Sequence, residues 1–288
     1  MKCSCICASR DGRFKVDLHL FLWLKAQELM VRCELETGKG DAWLWLADPA
    51  EMCPGNEPMC TALLDPDERV RAEAFHFAID RQVYLTTRAL VRVALSHSHG
   101  TAPELWRFRS NKYGKPETDP ACGLRFNVAH TRHLVVCLVS RGIELGVDAE
   151  GEDRAAEIVA IAKEVFSQTE LEQMLALQEA EQENRALTLW TLKEAYAKAL
   201  GLGLSFPLKR ASFVFDAGGQ IRFDVDAEQD TLNRSWQFCV MNYAAHRIAV
   251  VIERTPGLRL KRVRMRSPGE TPILMADGAE QWSQSDEG

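Results

Sequence analysis

The sequence predicts an α+β protein, an α/β two-layer arrangement of two similar subdomains related by a pseudo-two-fold. Three observations carry that expectation. Strand-like alternation and helix-like spacing of apolar residues are interleaved along the chain. Two pairs of apolar runs read as hairpins, 124–128 with 134–139 and 236–243 with 246–252. A faint internal repeat links them: Leu124-Arg125-Phe126-Asn127-Val128 is similar to Trp236-Gln237-Phe238-Cys239-Val240, and Thr86-Thr87-Arg88-Ala89 to Thr191-Leu192-Lys193-Glu194. Each half then reads as helix, irregular stretch, hairpin, and a cleft between two such halves is a favoured place for a ligand.

Taken in order, the elements begin with a short strand at 43–46. Residues 51–58 read as turn. Asp65-Pro66-Asp67-Glu68 opens a helix, with acidic side chains in the first turn where the helix dipole favours them. A longer helix is expected at 80–96, a loop at 97–103, and a turn at Asn111-Lys112-Tyr113-Gly114-Lys115-Pro116, punctuated by Gly and Pro. After the first hairpin comes a strand at 143–150, then helices at 155–165, 167–182 and 183–200. Ser167 with Glu170 is a capping box, and Gly201 suits a helix C-terminus. Strands at 212–215 and 221–225 flank the turn Asp216-Ala217-Gly218-Gly219. Beyond Pro256 the periodicity fades, and the basic run 259–266 with the Ser/Gly/Glu-rich end predicts a disordered tail. The expected domains are therefore a possible extension at 1–29, an N-terminal subdomain at 30–142, a C-terminal subdomain at 143–256 and a tail at 257–288. The first 29 residues differ in composition from the rest of the chain, so Met30 is a second candidate start.

Composition narrows the function. The 288 residues are 46% hydrophobic and 26% charged, ordinary for a globular protein. A formal net charge of -6 argues against bulk electrostatic binding of nucleic acid, so an anionic ligand needs a local basic site. No apolar run approaches the roughly 18 residues of a membrane span. The apolar segment 16–24 carries Asp17 and His19 and lacks a cleavage site, which excludes a secretion signal. The cysteines number nine, and Cys137 and Cys239 lie in strand-like runs where a thiol acts as a small hydrophobe. That usage predicts a reducing, cytoplasmic compartment. Cys3-x-Cys5-x-Cys7 lacks the spacing of a zinc site.

Two acidic clusters carry the chemistry. In Gly146-Val147-Asp148-Ala149-Glu150 the alternation puts Asp148 and Glu150 on one face of a strand. In Trp190-Thr191-Leu192-Lys193-Glu194-Ala195-Tyr196-Ala197-Lys198 helical spacing stacks Glu194 and Lys198 one turn apart. If helix and strand meet, three carboxylates and a lysine converge. Clustered carboxylates repel unless a cation lies among them, and a hard divalent ion, Mg2+ first, suits oxygen ligands. The plainer alternatives are a solvated D-x-E strand end and an ordinary i,i+4 ion pair worth about 0.3–0.5 kcal/mol.

Together with Phe166-Ser167-x-x-Glu170, Gly201-x-Gly203-Leu204-Ser205, Tyr113-Gly114-Lys115-Pro116 and Phe126-Asn127-Val128-Ala129-His130, these clusters resemble the large, Sfp-type 4'-phosphopantetheinyl transferases over about 43–251. The resemblance implies a pseudo-dimeric α/β fold and transfer of the phosphopantetheine arm of coenzyme A to a serine of an apo acyl or peptidyl carrier protein, releasing 3',5'-ADP. It implies that Asp148, Glu150 and Glu194 hold Mg2+ and that Lys198 meets the phosphate at the breaking bond. Glu194 or a metal-bound water then accepts the serine proton. Lys115 and His130 are expected near the 3'-phosphate and adenine end, with Tyr113 and Gly114 shaping the adenine pocket. Lys193 is a further phosphate candidate. The family usually carries Ser where this chain has Ala129, so one hydroxyl contact is missing, and Arg81 or Arg88 is expected to compensate. The implied partners are coenzyme A and a carrier protein of fatty-acid, polyketide or peptide synthesis, acting on a monomer with no nucleic acid and no membrane. Two other readings use the same residues. One is a metal-dependent phosphodiesterase or nuclease, which the absence of a dense basic patch disfavours. The other is a non-catalytic module that binds nucleotides or carrier proteins.

Overall fold

The computed structural model describes residues 40–216, 218–225, 234–275 and 283–284, all within the compact unit Glu36–Gly288. The expected extension, the alternative start and Cys3, Cys5, Cys7 and Cys33 lie outside the described residues.

Strand β1 (Asp41–Ala47) is followed by short helices α1 (Pro49–Met52), α2 (Glu57–Ala62) and α3 (Pro66–Glu73), then the long α4 (Ala78–His99). Strands β2 (Phe108–Ser110) and β3 (Pro116–Thr118) form a small hairpin, and β4 (Leu124–His130) and β5 (Val135–Arg141) a larger one. The second half repeats the plan. It has β6 (Leu145–Gly151), short helices α5 (Ala155–Ala160), α6 (Ala162–Val165) and α7 (Gln168–Leu175), and the long α8 (Glu179–Leu200). A small hairpin of β7 (Ala211–Phe215) and β8 (Ile221–Val225) precedes the larger one of β9 (Trp236–Tyr243) and β10 (His246–Glu253). In each half the opening strand pairs antiparallel with the second strand of the large hairpin, β1 with β5 and β6 with β10. The chain ends with β11 (Arg259–Arg264), β12 (Ile273–Leu274) and β13 (Ser283–Gln284). Strand order is β12-β11-β1-β5-β4 in one sheet and β13-β9-β10-β6 in the other.

The repeat extends to details of packing. The long helices are 22 residues each and end on a left-handed glycine, Gly100 or Gly201. Eight residues before each glycine stands a fully buried cation, Arg92 or Lys193. Each of these cations meets the N3 glutamate of a capping box on a shorter helix: Arg92 contacts Glu68 of α3 at 2.6 Å, and Lys193 contacts Glu170 of α7 at 2.8 Å.

The two sheets share one core. Leu44, Leu46, Val136 and Leu138 from the first pack with Leu145, Val147, Ile248 and Val250 from the second. The other face of each sheet receives its long helix. Trp43 and Trp45 meet His97 of α4 edge-on, and Ala249 and Val251 pack among residues of α8.

Three expectations need correction. Residues 51–58 keep the expected turn only at 53–56 and are helical at either end, because Asp48 caps α1 and Pro49 and Pro58 sit in first turns, where a missing N–H costs nothing. The predicted helices 155–165 and 167–182 are shorter: the first breaks at Ile161, and Gln178 caps α8 after α7 ends. Part of the predicted tail is structured. Residues 259–264 form β11, parallel to β1, with Leu260 and Val263 buried and the cations neutralised by acidic partners: Arg259 and Lys261 on Asp41, Arg264 on Glu51. Charge density hid a strand whose cations have partners about 200 residues earlier.

Among the described residues Cys53, Cys60, Cys122, Cys137 and Cys239 form no disulfide. Burial pushes the Cys137 thiol well above its ordinary pKa, as expected of a thiol used for packing. Among the described residues no helix is long and apolar enough to cross a membrane.

Candidate active site

The groove is made by α8 lying against β6. Along β6 Leu145, Val147 and Ala149 enter the shared core, which turns Gly146, Asp148 and Glu150 toward α8. Gly146 allows the close approach: a Cβ there would collide with the Ala195 carbonyl oxygen and the backbone nitrogen of Ala199. Small residues one turn apart on the helix thus face a glycine on the strand, and the charged residues on either side are drawn together.

Lys198 donates to Asp148 Oδ1 at 2.6 Å, while Asp148 Oδ2 is buried and has no hydrogen-bond partner. Glu150 accepts from Trp190 Nε1 at 2.8 Å and from Arg154 at 2.8 Å. Burial first, and then the Asp148 charge, raises the pKa of Glu150 above the usual carboxylate range, against the pull of Trp190 and Arg154. Burial and Asp148 raise Glu194 as well, with Lys198 opposing. His130, at the end of β4, opens to solvent at the rim of the groove. Although the residue is exposed overall, the protein packed around part of its ring, and then the charge of Lys198, hold it below the ordinary histidine pKa, with Asp148 opposing. Three carboxylates and Lys198 therefore lie within range of each other's charge, and His130 lies within range of Lys198 and Asp148. The donor chemistry and the partnerless Asp148 oxygen fit a hard divalent cation. The cage is not preset, however: among the described residues no group of three or more His, Cys, Asp or Glu side chains is arranged to grip an ion. Lys198 and Arg154 occupy the carboxylates instead.

The predicted turn at 111–116 docks at the C-terminal end of α8. Asn111 Oδ1 accepts from the backbone N–H groups of Tyr113 and Lys115, and its Nδ2 donates to the Gly201 carbonyl at 3.1 Å. Gly201 has φ +71°, and a Cβ there would press on Asn111 at 3.2 Å and on Lys115 at 3.3 Å. Lys115 Nζ donates to the Leu145 and Ala199 carbonyls, and burial lowers its pKa to about 8. It lines a cavity of about 280 Å3 with Arg109, Arg125 and Arg234. Gly114 turns with φ +89°, and the exposed Tyr113 ring carries Lys112 over its face. The two halves are tied beside this groove by Asn127, which accepts from Val147 N at 2.9 Å, and by Thr131 with His246 Nε2 at 3.0 Å.

Three expected site residues are engaged elsewhere. Lys193 is fully buried, paired with Glu170 and bonded to the Leu208 and Ala211 carbonyls, so its ammonium is not open to a phosphate. It lies one position from Glu194 on the helix, and that step turns its side chain into the core. Arg81 pairs with Glu57, and Arg88 with Glu68 at 3.4 Å and the Tyr84 ring. Neither has a contact to the groove among the described residues. Arg154, Trp190, Asn111 and the packing role of Gly146 are site features beyond those expected from the sequence. Only the last had a local signal, a strand glycine complementing the Ala195-x-x-x-Ala199 spacing.

The sequence is similar to known proteins over both halves. A model described as the 4'-phosphopantetheinyl transferase superfamily matches residues 144–251, the strand, the helix and the second large hairpin. A 4'-phosphopantetheinyl transferase N-terminal model matches residues 54–141. The 4'-phosphopantetheinyl transferase HetI of Nostoc sp. is 31% identical over 147 residues, 50% of this chain and 62% of the relative. The 4'-phosphopantetheinyl transferase Sfp of Bacillus subtilis is 29% identical over 164 residues, 57% of this chain and 72% of the relative. A solved holo-(acyl-carrier-protein) synthase from Bacillus anthracis in complex with CoA (3',5'-ADP) covers 38% of this chain and 96% of its own, at 16% identity and a TM-score of 0.34. With one family model over each half, the chain belongs to the 4'-phosphopantetheinyl transferase superfamily, a family of enzymes.

Proposed function

We propose that the protein transfers the 4'-phosphopantetheine arm of coenzyme A to a serine hydroxyl of an apo acyl or peptidyl carrier protein, in the presence of Mg2+, with release of 3',5'-ADP. The observation that carries the reading is the meeting of Asp148 and Glu150 on β6 with Glu194 and Lys198 on α8, inside the stretch that matches the family. In this reading the serine oxygen forms a bond to the phosphorus that bears the pantetheine arm, and the bond from that phosphorus to the 3',5'-ADP oxygen breaks. Glu194 takes the serine proton. Lys198 steadies the charge that builds on the phosphoryl oxygens and the leaving oxygen, where positioning and electrostatics do most of the catalysis. Asp148, Glu150 and Glu194 would hold Mg2+, whose bound charge withdraws electrons from the attacked phosphorus. Asn111 and Lys115 shape the wall at the nucleotide end, and His130 stands at the rim.

Mass spectrometry tests the proposal. An apo carrier incubated with the protein, coenzyme A and Mg2+ gains one phosphopantetheine. An unchanged carrier mass across a panel of fatty-acid, polyketide and peptide-synthetase carriers rejects it. Asp148→Ala and Glu194→Gln are each expected to lower the transfer rate by at least about 100-fold, with circular dichroism and melting preserved. Full activity in either variant removes the assigned role.

A further inference from the structure

Elsewhere on α8, the hairpin β7–β8 leaves a cavity of about 340 Å3 against β9 and β10. It shares no lining residue with the groove or with the cavity at Lys115. Two arginines reach into it. Arg247 of β10 is held by neutral oxygens, Thr188 Oγ1 at 2.8 Å and Asn184 Oδ1 at 2.5 Å. Arg185 lies 3.9 Å from the centre of the Phe215 ring. Neither forms an ion pair among the described residues, in a protein where Arg81, Arg92, Arg154, Arg259 and Arg264 all do. Such an arrangement orients a guanidinium without neutralising it. Glu181 is the acidic side chain on the wall.

We infer that this cavity is an anion site that takes a carboxylate or phosphate group between Arg185 and Arg247. The planar donor fork of arginine matches a two-oxygen anion, and the volume suits a small ligand. Burial holds both guanidinium groups below the usual arginine pKa, with the charge of Glu181 opposing at Arg185 and that of Glu152 at Arg247. The same chemistry can come from a free small anion or from an acidic side chain of a docking protein.

The test is calorimetric titration of inorganic phosphate into the full chain at constant ionic strength, and it does not depend on the transferase reading. The wild-type chain is expected to bind saturably. Arg185→Gln, which leaves the bonds of Arg247 intact, is expected to weaken binding by about tenfold or more, and Arg247→Gln likewise. Lys198→Ala keeps the site. No saturable binding by the wild-type chain, or equal binding by a folded Arg185→Gln variant, overturns the inference. A second arm separates the sources. If a carrier's acidic side chain occupies the site, phosphate competes with the carrier and Arg185→Gln raises the carrier KM at constant kcat. If the ligand is a free anion, the carrier KM does not move while phosphate binding is lost.

Discussion

Lys193 and Lys198 share one helix and one charge, yet their surroundings assign them opposite work. Lys198 is a quarter exposed and meets Asp148 in the groove. Lys193 is sealed against Glu170, whose carboxylate also accepts from the backbone of Phe213 and Ser167. Burial pushes Glu170 up and Lys193 down, and their contact offsets both. Removing one member leaves the other charge buried alone. Lys193→Met is therefore expected to lose about 3–5 kcal/mol of stability in urea unfolding, with much of it returned in the Lys193→Met/Glu170→Leu double variant. Coenzyme A affinity measured on the folded double variant should be unchanged. A second residue-scale prediction concerns His97, half-buried against Trp43 and Trp45 with a buried, partnerless Nε2. Burial lowers its pKa in the folded chain. The unfolded chain, with an ordinary histidine pKa of about 6.5, then binds a proton that the native state refuses. Its effect is absent above that pH, and stability is lost as pH falls through it toward the folded value. The slope approaches about 1.4 kcal/mol per pH unit. Unfolding of wild type and His97→Phe across about pH 5–7 should show the wild type losing more stability than the variant on the acid side.

At the scale of elements, the contact between β6 and α8 decides whether there is a site at all. Gly146→Val is expected to force α8 from the strand, because the obstructing atoms are backbone and cannot rotate away. Stability should fall by roughly 1–3 kcal/mol or more, and transfer should fall further than stability, since Lys198 leaves Asp148. A variant with wild-type activity and melting temperature would show that the helix does not need the glycine. The faces of these elements were legible beforehand. Alternation set Asp148 beside Glu150, and helical spacing set Lys198 a turn from Glu194, because side-chain direction follows local geometry alone. Trp190, which holds Glu150 from the facing helix, left no such trace, because only packing joins residues 40 apart; Arg154 is four residues on, but a strand gives that spacing no shared contact, and the turn after β6 supplies it.

For the whole molecule, the halves are alike in order but not in chemistry. Where Lys198 meets Asp148 in the second half, the residue three before the helix-ending glycine of the first is His97, set against two tryptophans. One half carries the charged groove and the other fills the corresponding face with aromatic rings. Neither is self-sufficient, because the core between the sheets takes residues from both. Residues 36–142 produced alone are expected to lack a cooperative unfolding transition by circular dichroism, whereas the full chain should unfold with a single midpoint over these elements.

By itself the sequence determined the mixed fold class, the two hairpins, the capping boxes, the repeat, the two acidic clusters and the family resemblance. Each rests on spacing within a few residues or on motifs in order. Tertiary structure alone decided that the basic run after Pro256 pairs with β1, that Lys193, Arg81 and Arg88 are committed to other carboxylates, and that Arg185 and Arg247 have none among the described residues. The reason is physical: the state of a charge depends on which distant partner and how much solvent the fold brings to it, and spacing along the chain encodes neither.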